Sequence, residues 1–152
     1  MLKNIISDTS VLIVLERIGE LNFLRDLFKK IYITPEIKSE YGLPLPDWIV
    51  VVDVKNKSKI VELNRFIDLG EASAIALALE LEDCFLIVDD IQARVIIKQL
   101  GIPFTGTAGV FLSAKKKGLI SHVKPYLKKL KSAGFRLSDA VIADILEQCG
   151  ES

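Results

Sequence analysis

Cys84-Phe85-Leu86-Ile87-Val88-Asp89-Asp90 is a short, unbroken apolar run closed by two acids. An amphipathic helix or a half-exposed strand would interleave polar residues, so this run reads as a strand buried on both faces. Strands of that kind belong to parallel sheets with helices packed on either side. The closing acids carry a second meaning. In open α/β sheets, ligands bind beyond the carboxyl ends of the strands.

The same grammar extends in both directions. Residues 3–7 read as a strand ending at Asp8, followed by helices over 10–18 and 20–29, the second with Leu21, Leu24, Leu27 and Phe28 at helical spacing. Ile31-Tyr32-Ile33 is a short strand. Thr34-Pro35 supplies an N-cap and a proline at the first position of a helix that Gly42 and Pro44 stop near Tyr41. The β-branched run 48–52 is a strand, with helices expected over 57–67 and 71–82. Beyond Asp90 come a helix over 91–100 closed by Gly101, a strand over 102–105, and a helix from Thr107 or Ala108 to Gly118. Two more helices are expected, over 121–132 and from the Ser138-Asp139 cap to about Gln148. Alternating strands and helices without linker, repeat or low-complexity tract predict one α/β domain spanning 1–152. Its architecture is three-layer α/β/α, around a central, mostly parallel sheet of about four to five strands.

Half of the 152 residues are hydrophobic, which leaves no room for a disordered chain. Lys plus Arg and Asp plus Glu are 20 each, so the formal net charge is zero. A neutral total argues against a nucleic-acid partner, but the distribution is uneven. From Lys115 to Arg136 there are eight basic residues, including Lys115, Lys116, Lys128 and Lys129, and no acid. The ordinary reading of that tract is a solvated face; the alternative is contact with an RNA backbone. Cys84 and Cys149 suggest no disulfide framework and are expected to be reduced thiols in a cytoplasmic protein. No signal-peptide pattern or membrane-length apolar run is seen.

Five acids stand out by position: Asp8 and Asp89-Asp90 at strand ends, Glu71 opening the small-residue helix Ala72-Ser73-Ala74-Ile75-Ala76, and Glu40 near the end of the helix after strand two. Taken singly, each has a plainer reading. Asp8 can cap the next helix, Glu71 can complement a helix dipole, Asp89 or Asp90 can cap helix 91–100, and Glu40 can face solvent. Taken together they converge if the first strand lies beside strand 84–88. Like charges about 4 Å apart repel by roughly 4 kcal/mol at an effective dielectric near 20. Shared protons or basic side chains can offset this, and a hard divalent cation does so most simply. The lone histidine, His122, lies among basic residues near a helix start and reads as exposed or capping.

Asp8-Thr9-Ser10 after the first strand, Glu40, Gly70-Glu71-Ala72 and Val88-Asp89-Asp90 resemble the motifs of the PIN-domain nucleases, in order and over essentially the whole chain. Gly106-Thr107-Ala108-Gly109-Val110 and the 133–138 segment share in the likeness. The nearest resemblance is to the VapC-like ribonuclease toxins of type II toxin–antitoxin systems. It implies a Mg²⁺- or Mn²⁺-dependent endoribonuclease with catalytic acids Asp8, Glu40, Glu71 and Asp90. Asp89 would serve as a further ligand or a cap, and Thr9 or Ser10 would support the first acid or a bound water. It also implies an RNA substrate, a cognate antitoxin protein and a homodimer, with no membrane association. One departure is visible: where the family often has Thr or Ser two residues before the last acid, this chain has Val88. The rival readings are a non-catalytic RNA- or protein-binding module of the same fold, and a nucleotide-binding α/β protein. For the second, neither phosphate-binding glycine loop is present.

Overall fold

The computed structural model describes residues 3–152. Its strands are β1 (Asn4–Ser7), β2 (Ile31–Ile33), β3 (Ile49–Val51), β4 (Cys84–Ile87) and β5 (Phe104–Thr105), joined in one sheet of order β3-β2-β1-β4-β5. Every pairing is parallel. The helices are α1 (Thr9–Arg17), α2 (Asn22–Phe28), α3 (Pro35–Tyr41), α4 (Lys57–Leu63), α5 (Leu69–Glu80), α6 (Ile91–Gln99), α7 (Thr107–Lys116), α8 (Lys124–Ser132) and α9 (Asp139–Gln148). The expected α/β class, layering and strand number are those observed, and the sheet is parallel throughout.

The strand order places the site. The chain builds outward from β1 to β2 and β3, then returns to lay β4 on the other side of β1. Between β1 and β4 the direction of winding reverses, and a crevice opens at the carboxyl ends of such a pair. Register runs from Asn4 opposite Cys84 to Ser7 opposite Ile87, and the Asp8 amide extends the ladder by donating to the Ile87 carbonyl at 3.2 Å. Asp8 and the 88–90 turn are therefore brought level by the backbone pairing itself.

Helix α5 is buried along almost its whole length, from Gly70 to Ala78, because its alanines let it approach β1 and β4 while α3 and α4 cover its flanks. The expected boundary at residue 71 moves to Leu69. The Asp68 amide donates to Glu71 Oε1 at 3.2 Å, so the turn before Glu71 is helical as well. Helix α8 starts at Lys124 rather than 121, with Pro125 in its first turn. The strand expected over 102–105 shrinks to Phe104–Thr105, since Pro103 has no amide to donate. Under the sheet, Phe111 stacks on Tyr126 with ring centroids 5.0 Å apart while Phe23 meets both edge-on, which locks α2, α7 and α8 together.

Candidate active site

Asp8 follows β1 and caps α1. Its Oδ1 accepts from the Val11 amide at 3.0 Å, as Ser, Thr, Asn or Asp does at this position. Its other oxygen, Oδ2, is buried and has no hydrogen-bond partner among the described residues. The residue is only 1% exposed. Burial pushes the Asp8 carboxyl well above its ordinary pKa; the Val11 amide opposes this, and nearby Asp89, Glu71 and Asp90 add to the rise.

Two other acids repeat that arrangement. Asp90 caps α6, with Oδ2 accepting from the Ala93 amide at 2.9 Å. Glu71, in the first turn of α5, accepts from the Asp68 amide through Oε1. Each of the three thus ties one oxygen to the amino end of a helix, and the positive ends of α1, α5 and α6 converge on one cluster of negative charge. Burial, with Asp90 as the leading charged neighbour and Asp68 and Glu40 beyond it, pushes Glu71 up to about 7. Three dipoles do not hold the cluster fully ionised near neutrality.

Glu40 reaches the same crevice from α3. It is exposed, and its Oε1 accepts from the Thr9 hydroxyl at 2.7 Å. Gly70 makes room for it: a methyl group there would overlap the Glu40 carboxylate and crowd Thr9. Thr9 thus supports Glu40 rather than Asp8, while Ser10 is exposed one position further along α1. Asp89 is engaged differently from Asp90. Its Oδ1 accepts from the Thr107 amide at 2.9 Å and its Oδ2 from the Thr107 hydroxyl at 2.6 Å. Arg94 Nη2 lies 3.7 Å from Oδ1.

Among the described residues, no three Asp, Glu, His or Cys side chains already surround one point as a coordination set. The donor chemistry nonetheless fits a hard divalent cation: oxygen ligands only, one of them buried and unpartnered among the described residues, in a cluster whose charges raise the pKa of Asp8 and Glu71. Asp8, Glu71 and Asp90 are the residues suited to hold it.

The basic tract lies elsewhere. Helix α7 begins at the crevice with Thr107, so Lys115 and Lys116 stand about 12–14 Å along its axis from there at 1.5 Å per residue. Lys115 is occupied internally, donating to the Cys149 carbonyl at 2.6 Å and to Glu151 at 2.9 Å. Lys129 donates to Glu20, past the far end of α1, at 2.9 Å. Lys116 and Lys128 are exposed.

A family model described as a PIN domain matches residues 4–151. The chain belongs to the PIN-domain family. PIN domains are generally nucleases and typically use divalent metal ions. Neither a curated protein nor a solved structure matches the chain. In this PIN domain three residues at the crevice had drawn no role from the sequence: Arg94, Gly106 and Thr107. Thr107 brings a hydroxyl to the end of β4, where Val88 has none. Its sequence signal was a Gly-Thr step before a helix, in a segment that shares the family likeness. For Arg94 the signal was weaker still, a basic residue one turn after Asp90.

Proposed function

We propose that this PIN-domain protein is a Mg²⁺- or Mn²⁺-dependent endoribonuclease that hydrolyses RNA phosphodiester bonds as the toxin of a toxin–antitoxin pair. The observation that carries the reading is the unpartnered Oδ2 of buried Asp8, faced by Glu71, Asp89 and Asp90 at the β1/β4 switch point. A buried carboxylate oxygen without a donor is costly unless something positive comes to it. Asp8, Glu71 and Asp90 would hold the cation. Glu40, aimed by Thr9 and given space by Gly70, would orient water or an RNA hydroxyl at the open side of the crevice. A bound divalent cation supplies charge for the phosphate oxygens and lowers the pKa of water. The absence of histidine from the cluster suits acids that act as ligands.

The surface we assign to self-association is the groove between α4 and α6, a cavity of about 530 Å³ lined by Leu63, Phe66, Val95, Ile96 and Leu100. Phe66 is 67% exposed and Val95 52%, and the two stand on the same groove. Homodimerisation there would cover it, and the antitoxin would engage the dimer near the acids. RNA-backbone contact by Lys116 and Lys128 would extend the footprint beyond the crevice.

Cleavage of a mixed RNA substrate with Mn²⁺ present, lost in Asp8→Asn, is the expected result. Equal cleavage by the two proteins would defeat the proposal. A second reading, a binding module without catalysis, is favoured by the lack, among the described residues, of a preformed set of three acid ligands. It predicts a melting temperature indifferent to millimolar Mn²⁺, whereas a cation-binding site predicts a rise.

A further inference from the structure

The two adjacent acids at the end of β4 do different work. We propose that Arg94 is a positioning residue, which with Thr107 clamps Asp89 against the start of α7 and keeps it out of the cation's ligand set. This rests on the reading of the acidic crevice as a cation site, and it divides that site into holders and a brace.

The holders differ from Asp89 in the use of the second oxygen. Asp8, Glu71 and Asp90 each tie one oxygen to a helix amide. Both oxygens of Asp89 are taken, one by the Thr107 amide and the other by the Thr107 hydroxyl, and Arg94 adds its charge at 3.7 Å. Each Asp89 oxygen keeps a second lone pair, but the two Thr107 bonds fix the direction of the carboxylate and Arg94 offsets its charge, so turning it toward a cation would cost those bonds on a half-buried group.

Arg94 is itself fixed. Its Nε donates to the Val88 carbonyl at 2.9 Å and its guanidinium carbon lies 5.2 Å from the Phe104 ring centroid. It therefore spans the ends of β4 and β5, the strands whose following turns carry Asp89 and Thr107. Gly106 completes the fit, because a methyl group there would overlap both the guanidinium and the Asp89 carboxylate. The turn after β4, α6, β5 and α7 thus meet through Asp89, Arg94, Phe104 and Thr107. The clamp also sets charge: with Arg94 beside Asp89, the repulsion that Asp89 exerts on Asp8 is partly offset, and the crevice presents a smaller net negative field to a cation.

The test measures Mn²⁺ affinity of the full chain by calorimetry and by the Mn²⁺-dependent rise in melting temperature, neither of which requires turnover. Asn at 89 can keep both Thr107 contacts while losing the charge, so Asp89→Asn is expected to hold Mn²⁺ within about fivefold of the parent, the scale of one screened charge. Asp90→Asn should weaken it by about tenfold or more. Arg94→Gln should tighten Mn²⁺ binding by leaving the Asp89 charge unopposed at the crevice, and that gain should shrink in the Asp89→Asn, Arg94→Gln double variant. Additive effects in that cycle would overturn the clamp, as would loss of binding in Asp89→Asn comparable to that in Asp90→Asn. If Arg94→Gln fails to fold, the comparison of Asn at 89 with Asn at 90 decides alone. A parent chain that ignores Mn²⁺ would sink the cation site and this inference together; a responsive parent whose Asp89→Asn variant loses the Mn²⁺ response sinks only the inference.

Discussion

Asp8 is pulled two ways, charged by the Val11 amide and the α1 dipole, neutralised by burial among other acids. Asn at 8 keeps the cap through Oδ1 and removes the repulsion. Asp8→Asn is therefore expected to raise the melting temperature of the metal-free protein, by an amount corresponding to about 1–2 kcal/mol, while abolishing the Mn²⁺ response and cleavage. A fall in metal-free stability would contradict this account of Asp8. The protons follow the same logic. Glu71 titrates at about 7 in the folded chain against an ordinary 4.5, and Asp8 is raised in the same direction. The folded state then holds more protons than the unfolded state between those two values. Metal-free stability should be greatest below that window and decline as pH rises through it, and saturating Mn²⁺ should flatten the decline. Thermal melts at several pH values, with and without Mn²⁺, read this out. Gly70→Ala separates site from fold. The overlap falls on the flexible end of Glu40, so the melting temperature should stay close to that of the parent while cleavage drops by about tenfold or more through loss of the Thr9-held geometry.

Helix α8 has no capping side chain of its own; a carboxylate from the other end of the C-terminal segment serves instead. Glu151 accepts from the Val123 amide at 2.7 Å and the Lys124 amide at 3.1 Å, and from the Lys115 ammonium. Burial alone would raise its pKa, but the Val123 amide, Lys115 and the Lys124 amide together bring it down to about 2. Its contribution to stability is present above the ordinary value of 4.5 and is lost as pH falls toward about 2, opposite in sign to the Asp8 and Glu71 effect. Glu151→Ala should cost about 1–2 kcal/mol, the usual worth of a cap, and should speed hydrogen exchange in α8 while leaving β1 and β4 protected. This long-range cap explains why the start of α8 was misjudged by three residues from sequence, whereas α3, capped locally by Thr34 with Pro35 at its first position, was placed correctly. Local signals travel a few residues along the chain; Glu151 lies far beyond that reach.

At the scale of the whole molecule, the class of the fold was legible because β1 and β4 are buried on both faces and so show no alternation. The order β3-β2-β1-β4-β5 was not legible, since pairing depends on contacts between distant segments that periodicity does not encode. The acids were legible at strand and helix ends, but their division of labour was not. Asp89 and Asp90 are neighbours in sequence, and only Thr107 and Arg94, reached through folding, tell them apart. The α4–α6 groove offers the global prediction: Phe66→Asp should shift a dimer to monomer in sedimentation while preserving the thermal transition, and an unchanged mass would refute that face as the interface. The capping role of Asp8 and Asp90 has one more outcome. Asn serves as an N-cap as well as Asp does, so one substitution at either position would silence the chemistry and leave the architecture standing. A lineage of this fold stands one step from an inert descendant that still folds, still carries its apolar groove, and is free to be kept as a rival for the same partners.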